Sequence, residues 1–360
     1  MAMAEITIIG AGIFGLSAAY VLAQRGAKVT IVERDHIGAG ASGGVVGALA
    51  PHVPELWNTK KAFQLESLLM AQGFWDQVAA FSGVNPGYAR LGRVQPIPDT
   101  AALDRAHERI AGAEELWQGQ ATWQVLRLSD TPGLSFDSPT GWAIYDTLTA
   151  RQAPRASAHA LATGLRRMNA TFLTGDQPPE GAQKVLWASG VQGLLDLGEA
   201  MGKMMGNGVK GQAALLDADY RNAPQLFIDG LHIVPHADGT TAVGSTSERY
   251  YSHASHTDEQ LETLIGRARA ACPNLKDAVV LERWASLRPR SPTRAPMLGE
   301  WPDRPGHFIL NGGFKIGYGM APKLAHLAAD LLLEGEADIP EGFRVTDNLP
   351  RKNGGPKNYT

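Results

Sequence analysis

The sequence predicts an α/β fold, α+β overall, in which a domain built on a parallel sheet is interleaved with a domain built on an antiparallel sheet. The chain has 360 residues, more than a single hydrophobic core usually supports, so its length favours two domains. Residues 5–33 read as strand, glycine turn, helix and strand, which is the order of a βαβ unit. Between residues 211 and 245, short β-like stretches alternate with turns such as Asp229-Gly230, as in an antiparallel sheet.

The first domain opens at the start of the chain. Apolar runs predict strands at residues 4–9 and 28–33, and apolar residues at helical spacing predict a helix at 14–25 between them. Helical spacing also predicts a long helix over 58–81, with Asn58 as its N-cap. A proline opens a further predicted helix at 154–168.

The remaining predicted elements set the expected boundaries of the two domains. A loop rich in proline and arginine is expected after residue 285. The predicted boundaries assign 1–88, 140–208 and 284–347 to the first domain, 89–139 and 209–283 to the second, and 348–360 to a flexible tail. The remaining predicted elements are strands at 90–98, 171–173, 184–188, 279–285 and 307–310, and helices at 101–117, 258–271 and 322–333.

Composition and charge narrow the classes of partner. Lys and Arg number 33 against 36 Asp and Glu, a net charge of −3, so no electrostatic attraction to nucleic acid or to an anionic membrane is expected. The single cysteine, Cys272, permits no intrachain disulfide and no cysteine-based metal site. No charged leader precedes the first strand, and no apolar run reaches the roughly 20 residues of a membrane span, so we expect a cytoplasmic protein without a metal.

The strongest chemical signal is the turn GAGIFG at residues 10–15, between the first strand and the first helix. In a Rossmann-type fold, Gly10 permits the tight turn, Gly12 lets the backbone approach a pyrophosphate, and Gly15 lets helix and strand pack closely. Glu33 ends the second strand, where a carboxylate accepts hydrogen bonds from an adenosine ribose. The motif predicts an ADP-containing cofactor, and the alternative is a glycine-rich turn without a ligand.

A second glycine-rich segment follows the ribose-binding position. Residues 34–51, RDHIGAGASGGVVGALAP, contain five glycines, which let the backbone approach a large flat ligand. NAD and FAD share the ADP moiety, so the first motif alone does not separate them. The second segment favours FAD, and the alternative is a flexible surface loop.

Seven short motifs follow one another along the chain. Their order and spacing resemble the D-amino-acid oxidase superfamily, in particular its glycine oxidase and sarcosine oxidase branch, nearly from end to end. The resemblance implies a Rossmann-type FAD-binding domain interleaved with an antiparallel β-sheet substrate domain. The motifs are GAGIFG with Glu33 and Arg34, ASGGVVG at 41–47, KVLWASG at 184–190, VKGQ at 209–212, AVGSTSE at 242–248, WASLRPRSP at 284–292 and GGFKIGYGMAP at 312–322.

The resemblance also implies which residues bind the cofactor. The sarcosine oxidase branch attaches flavin through a cysteine, but Cys272 follows the predicted helix at 258–271, away from the flavin loops, so we expect non-covalent FAD. The implied FAD-binding residues are Gly10, Gly12, Ile13, Phe14, Gly15, Glu33, Arg34, Ala41, Ser42, Gly43, Gly44, Val46, Gly47, Leu49, Ala188, Ser189, Gly190, Gly312, Gly313, Phe314, Lys315, Ile316 and Gly317.

Two basic residues match positions with catalytic roles in the similar family. The motif WASLRP implies that Arg288 holds the substrate carboxylate, to which a guanidinium offers two parallel donors. The late glycine-rich loop is residues 312–317. It matches a family loop near the flavin ring, which implies that Lys315 lies there, where a positive charge would stabilise the anionic reduced flavin. The alternative for Arg288 is membership of a basic loop, and the alternative for Lys315 is a solvated lysine in a turn.

At one position the sequence departs from the family pattern. Many relatives read Tyr-x-Val-Pro-Arg before the hairpin of the substrate domain, with the tyrosine touching substrate, whereas this chain reads HIVPH at 232–236. His232 is therefore a candidate catalytic residue of the pocket, and the alternative is a hydrogen-bonded histidine under the sheet. An imidazole could read a second polar group that glycine lacks.

Together these features predict FAD-dependent oxidation of a small amine or amino acid, of the glycine, sarcosine or D-amino acid kind. Arg288 would anchor the carboxylate, hydride would pass from the amine-bearing carbon to flavin, and water would hydrolyse the imine to an oxo acid. Dioxygen or another electron acceptor would reoxidise the flavin, and an oligomer is compatible with the sequence. The alternatives are a 2-hydroxy acid dehydrogenase with His232 as its base, and a flavoprotein subunit that needs a partner chain.

Overall fold

The chain folds around two large sheets in a computed structural model that describes residues 4–349. One sheet has six strands and the other eight, and a two-stranded ribbon lies beside them. The six-stranded sheet takes its strands from residues 5–33, 171–187 and 297–311, and the eight-stranded sheet from 93–146 and 207–290. The chain therefore passes from one sheet to the other several times, as expected for interleaved domains.

The six-stranded sheet is parallel except at one edge. Its strands, in spatial order, are β15 (Met297–Glu300), β16 (His307–Asn311), β9 (Val185–Trp187), β1 (Glu5–Ile9), β2 (Lys28–Glu33) and β8 (Thr171–Thr174). Only β15 runs antiparallel to its neighbour within this sheet. Because successive strand residues point to opposite faces, Leu186 packs into one core while Val185 and Trp187 pack into the other.

Helices cover both faces of the parallel sheet. The helices of the described residues are α1 (Ile13–Gln24), α2 (Thr59–Ser82), α3 (Thr100–Trp117), α4 (Pro154–Arg167), α5 (Gly190–Ala200), α6 (Glu259–Ala271) and α7 (Gly317–Glu334). The apolar faces of α1, α2, α4 and α7 share one core, and α5 packs into the core on the opposite face. Asn58 caps α2 by accepting a hydrogen bond from the Lys61 N–H at 3.1 Å, so the predicted long helix is confirmed.

The eight-stranded sheet is antiparallel apart from one pair. Its strands, in spatial order, are β14 (Val279–Arg290), β10 (Asn207–Asp217), β13 (Thr240–Gly244), β12 (Leu231–Pro235), β11 (Gln225–Ile228), β4 (Arg93–Pro96), β6 (Trp142–Asp146) and β5 (Trp123–Arg127). The pair β11 and β4 is parallel. One face packs on α6, while Ala213, Val234 and Trp284 on the other face pack against Val45 of the glycine-rich loop. The ribbon pairs β3 (Ala48–Leu49) with β7 (Ala150–Arg151).

Strand β14 corrects the prediction of a loop after residue 285. The strand continues to Arg290 and pairs with β10 over its whole length, with Arg288 opposite Val209. Pro289 is tolerated because β14 lies at the edge of the sheet, where its missing N–H costs no ladder hydrogen bond. Arg288 is therefore held by a strand rather than by a mobile basic loop.

Two helices also differ from the sequence prediction. The closing helix begins at Gly317, and Pro322 lies inside it rather than at its first turn. Helix α5, which begins at the last residue of KVLWASG, was not predicted, because the glycines Gly193 and Gly198 interrupt its short sequence. Strands β5 and β6 were likewise missed in a stretch broken by glycine and proline.

The predicted domain boundaries differ from the sheet pairing at three places. Strand β6 and residues 207–208 of β10, both inside 140–208, and residues 284–290 of β14 all pair in the antiparallel sheet. The predicted tail at 348–360 lies outside the described residues except for Asn348 and Leu349, and Asn348 is buried and accepts a hydrogen bond from Thr293. No helix within residues 4–349 combines the length and apolarity needed to cross a membrane.

Candidate active site

A cavity of about 990 Å³ lies between the two sheets, at the upper end of the range of about 300–1,000 Å³ for ligand pockets. Its walls include the residues that end or follow each of the five parallel strands β1, β2, β8, β9 and β16. The opposite walls come from β12 and β14 of the antiparallel sheet. The cavity therefore occupies the carboxyl edge of the parallel sheet, where open α/β folds bind their ligands.

The predicted nucleotide turn is built as the sequence suggests. Gly10 has a φ of +106°, and a Cβ there would lie 2.6 Å from the Ala188 carbonyl oxygen. Gly12 is the N-cap of α1, which has no side-chain cap and no acidic residue in its first turn. A Cβ at Gly15 would lie 2.0 Å from the Gly10 carbonyl oxygen. The turn thus requires glycine and leaves the start of α1 suited to an anion.

Glu33 is fixed at the end of β2 and faces the cavity. Its two carboxylate oxygens accept hydrogen bonds from the Ala11 N–H at 2.7 Å and the Asp35 N–H at 3.0 Å. Residues 175–177, which follow β8, also line this end, and the Gly175 N–H donates to the Glu33 carbonyl at 3.0 Å. Sequence reasoning missed 175–177, since no motif marks them.

Three segments meet where the second glycine-rich segment crosses the cavity. Ser42 accepts a hydrogen bond from the Ile13 N–H at 2.9 Å. The buried hydroxyl of Tyr318, on α7, lies 2.7 Å from the Ser42 carbonyl oxygen and 2.9 Å from that of Pro154. Tyr318 was also missed by sequence reasoning, although it fixes the path of residues 41–47.

Most of the predicted cofactor residues line this one cavity. Four do not line it. Gly15 packs α1 on β1, and Leu49 is buried against other apolar residues. Gly43 contacts Gly38, and Gly312 contacts Ser291. These four support the walls from behind. The predicted cofactor residues in the lining are Gly10, Gly12, Ile13, Phe14, Glu33, Arg34, Ala41, Ser42, Gly44, Val46, Gly47, Ala188, Ser189, Gly190, Gly313, Phe314, Lys315, Ile316 and Gly317.

Arg288 is buried and faces the cavity from β14. Its guanidinium donates to the Thr246 carbonyl oxygen at 3.1 Å and to the Ser245 hydroxyl at 2.6 Å. Within residues 4–349 no carboxylate is close enough to form an ion pair with it. Burial lowers the pKa of Arg288 to about 10, against a raising effect of Glu248, so the group stays cationic at neutral pH.

Gly211 makes this position of the guanidinium possible. It lies on β10 beside β14, and a Cβ on it would be 1.8 Å from Nη1 and 2.1 Å from Cζ of Arg288. Its φ lies outside the left-handed region, so only the close approach, and not the backbone conformation, demands glycine here. The motif VKGQ therefore opens the space that the arginine of WASLRP fills.

A buried polar network supports the segment that binds Arg288. Thr246 donates to Glu248, and the Gln212 side chain donates to Glu248 at 2.9 Å and to Asp258 at 2.7 Å. Lys210 lies 2.7 Å from Asp258 and 3.4 Å from Glu248. Hydrogen bonds from Lys210 and then Gln212 lower the pKa of Asp258 to about 2. The network fixes residues 245–248.

His232 lies on the face of β12 that lines the cavity, half-buried against the Phe227 ring, with centroids 4.6 Å apart. Its Nδ1 is buried without a hydrogen-bond partner. Burial lowers the pKa of His232 to about 3, and the positive charges of Arg93, Lys315 and Arg288 act in the same direction. The imidazole is therefore neutral at physiological pH.

Lys315 reaches the same end of the cavity from the loop after β16. Its ammonium lies 5.6 Å from the centroid of the Phe314 ring. Burial first, and then the charge of Arg288, lower its pKa. The structure thus brings Arg288, His232 and Lys315 together. Cys272 lies in the apolar core under α6 and is not part of the lining.

A comparison with known protein families finds a match over most of the chain. The family described as DAO, FAD dependent oxidoreductase, matches residues 5–331. The chain belongs to this family. The predicted superfamily and the predicted FAD are confirmed by this match.

Individual relatives agree with the family. The oxidoreductase is 28% identical to the bifunctional protein ThiO/ThiG of Synechocystis sp., over 96% of this chain and 55% of that protein. It is 27% identical to the glycine oxidase of Pseudomonas aeruginosa, over 91% of this chain and 94% of that protein. The chain therefore spans about half the length of the bifunctional relative.

Solved structures share the fold. The glycine oxidase of Geobacillus kaustophilus superposes with a TM-score of 0.82 at 21% identity, covering 98% of this chain and 100% of that one. The iminodiacetate oxidase of a Chelativorans species gives a TM-score of 0.79 at 22% identity, covering 93% and 97%. The predicted fold class is confirmed.

The residues present fit FAD. An extended cofactor with an anionic middle and a broad ring needs an open helix N-terminus, a carboxylate beyond it and a wall of small residues. Gly12 at the start of α1, the fixed Glu33 and the small residues at 39–42 and 44 supply these in one lining. The second glycine-rich segment is thus a cavity wall and not a surface loop.

Proposed function

We propose that this oxidoreductase uses FAD to oxidise a small amine or amino acid whose carboxylate is held by Arg288. The observation that carries the proposal is the buried guanidinium, which faces the cavity and has neutral partners only, Thr246 and Ser245. An unpaired buried charge is costly unless a ligand pairs with it. A substrate carboxylate is the counter-charge that this end of the cavity lacks.

The roles of the other groups follow from their positions. Arg288 would fix the carboxylate by charge-assisted hydrogen bonds, which orients the neighbouring carbon. His232, being neutral, would donate or accept a hydrogen bond without taking up a proton. Lys315 would supply positive charge on the side of the late glycine-rich loop.

Bound FAD would supply the hydride acceptor for the carbon that bears the amine. The lining residues already named would hold it, with the start of α1 at the pyrophosphate and Glu33 at the ribose. Attachment would be non-covalent, since Cys272 is buried away from the cavity. Water would then hydrolyse the imine product to an oxo acid, and dioxygen or another acceptor would restore the cofactor. The single cysteine also supports a cytoplasmic location, which stays a prediction.

The 2-hydroxy acid alternative is weaker. It requires a base for the hydroxyl proton, and the candidate from sequence was His232. A group with a pKa of about 3 is a poor base at neutral pH, because efficient general bases have pKa values near the working pH. The names of the relatives, glycine oxidase and iminodiacetate oxidase, also support amines as substrates.

The test is an absorbance spectrum of the FAD-loaded protein, recorded anaerobically before and after adding glycine, sarcosine, D- and L-amino acids or 2-hydroxy acids. Bleaching by amines and not by hydroxy acids would support the proposal. Bleaching by hydroxy acids alone would favour the 2-hydroxy acid dehydrogenase over the amine-oxidising enzyme. Flavin bands that no compound bleaches would favour the reading in which a partner chain is required.

A further inference from the structure

We propose that the preferred substrate carries two acidic groups, so that a second carboxylate, on the nitrogen substituent or the side chain, pairs with Lys315 while Arg288 holds the first. The inference rests on the proposed function and narrows its substrate class. It follows from two observations. Positive charge is in surplus at one end of the cavity, and the nearby carboxylates of the protein are either engaged by other residues or lie away from that end.

The part of the cavity lined by Arg288, His232 and Lys315 is its substrate end. Two cations lie there, but a glycine molecule bound as substrate has only one carboxylate. Arg288 donates to neutral groups only. Lys315 has no hydrogen bond or ion pair within residues 4–349, and its ammonium lies 5.6 Å from the centroid of the Phe314 ring. Both residues line the same cavity as His232. Within residues 4–349 the cavity thus presents two cations without a carboxylate partner, Arg288 buried and Lys315 exposed, and a substrate with two anionic groups would pair with both.

More positive charge lies next to the cavity, beside Phe314 of its lining. Arg290 is two residues beyond Arg288 on β14, so the two side chains share a face of the strand. The guanidinium of Arg290 lies 5.8 Å from the centroid of the Phe314 ring. Burial and then the charges of Arg294 and Arg249 lower its pKa. Such a cluster raises the local concentration of anionic substrates, although the whole chain carries a net charge of −3.

The nearby carboxylates do not neutralise this end. Glu248, the one that acts on Arg288, is engaged by Lys210, Gln212 and Thr246.

Of the four carboxylates of the cavity lining, Asp196 is engaged by a neighbour and the other three lie elsewhere. Asp196, on α5, accepts a hydrogen bond from Gln192 at 2.8 Å. Glu33 and Asp35 follow β2 and Asp176 follows β8, which are three and four strands away from β16 in the sheet. At about 4.8 Å per strand, β2 and β8 lie roughly 14–19 Å from β16, the strand that leads to Lys315. Three of the four lining carboxylates, Glu33, Asp35 and Asp176, therefore lie toward the ribose end, away from Arg288 and Lys315.

His232 fits a larger substrate. A tyrosine at this position would fill more of the pocket than an imidazole. The imidazole is neutral, so it can hydrogen-bond to a second carboxylate without adding a third charge. We expect substrates such as iminodiacetate, aspartate or glutamate to exceed glycine, sarcosine and alanine.

The test measures binding without turnover. FAD-loaded protein is titrated with acetate and propionate, and with malonate and succinate, and dissociation constants are read from the change in the flavin spectrum. We expect the dicarboxylates to bind about three- to fivefold more tightly, which corresponds to one exposed ion pair. Lys315→Met should reduce that ratio to near one. Lys276→Met, which removes an exposed lysine that is not part of the lining, should leave the ratio unchanged.

Turnover gives a second reading. The ratio of kcat/KM for acidic over simple substrates should fall in Lys315→Met and should decrease with added salt, because screening weakens the steering of a dianion. Equal affinity for mono- and dicarboxylates in the wild type would overturn the inference. So would a Lys315→Met variant that loses affinity for both classes equally, since the lysine would then serve the flavin alone. If dicarboxylates bind preferentially but no amine bleaches the flavin, the proposed oxidation fails while the double-anion site stands.

Discussion

Replacing Gly211 by alanine should disable the substrate anchor while leaving the fold and the flavin in place. The methyl group would lie 1.8 Å from Nη1 of Arg288 and 2.1 Å from its Cζ. Ordinary contact begins at about 3.5 Å, so the guanidinium must move by roughly 1.5 Å or turn away from the cavity. A displacement of about 1 Å at a reacting centre can lower the rate about a hundredfold. We therefore expect kcat/KM to fall by about a hundredfold, or about 2.7 kcal/mol of transition-state stabilisation.

The assay compares three quantities in the wild type and in Gly211→Ala. Steady-state kinetics give kcat/KM, fluorescence titration gives the FAD dissociation constant, and thermal unfolding gives Tm. Because Gly211 has no left-handed φ, the FAD affinity and Tm should change little. Gly266→Ala on α6 is the matched control, since nothing lies within 4 Å of a Cβ added there. Gly211→Ala kinetics within threefold of the wild type would refute the reasoning, as would a loss of FAD.

Three further substitutions probe the same site. Arg288→Met should lower kcat/KM for carboxylate-bearing amines by about 30- to 5,000-fold, in line with the roughly 2–5 kcal/mol lost when one partner of a buried charge pair is removed. Kinetics on amines without a carboxylate should change far less. Tyr318→Phe should weaken FAD binding about five- to tenfold, because a buried hydroxyl bonded to the Ser42 and Pro154 carbonyls is lost; fluorescence titration measures this. His232→Phe should protect the fold against mild acid, seen as a smaller drop in Tm between pH 8 and pH 5.

The sign of the His232 effect follows from its pKa. The folded pKa of about 3 lies below the unfolded value of about 6.5, so the unfolded chain binds the proton first as the pH falls. Stability is therefore full above pH 6.5 and declines between pH 6.5 and pH 3, by up to about 2 kcal/mol at pH 5. Identical pH dependence of Tm in the wild type and His232→Phe would contradict the neutral, cavity-facing histidine. Unchanged FAD affinity in Tyr318→Phe would likewise remove the role given to that hydroxyl.

Patterns local to the sequence predicted the cofactor half of the site. The strand, turn and helix around residues 10–15, and Glu33 after the next strand, lie close in sequence and in space, so period and glycine spacing are enough to read them. Most other predicted cofactor residues also line the cavity. The exceptions, such as Leu49, failed because a motif marks a segment, whereas burial decides which of its residues face inward.

The substrate half depended on contacts that no local pattern contains. Arg288 was predicted from its motif, but its position on a strand, and the need for Gly211 beside it, come from pairing between β10 and β14, whose residues lie far apart in sequence. The neutral state of His232 likewise depends on burial and on cations from three other segments. By itself the sequence determined the fold class and the flavin and pointed to Arg288 as the proposed carboxylate anchor, because each follows from short-range spacing or motif order. Only the tertiary structure decided which charges face each other across the cavity, because electrostatic energy depends on distance and burial rather than on order along the chain.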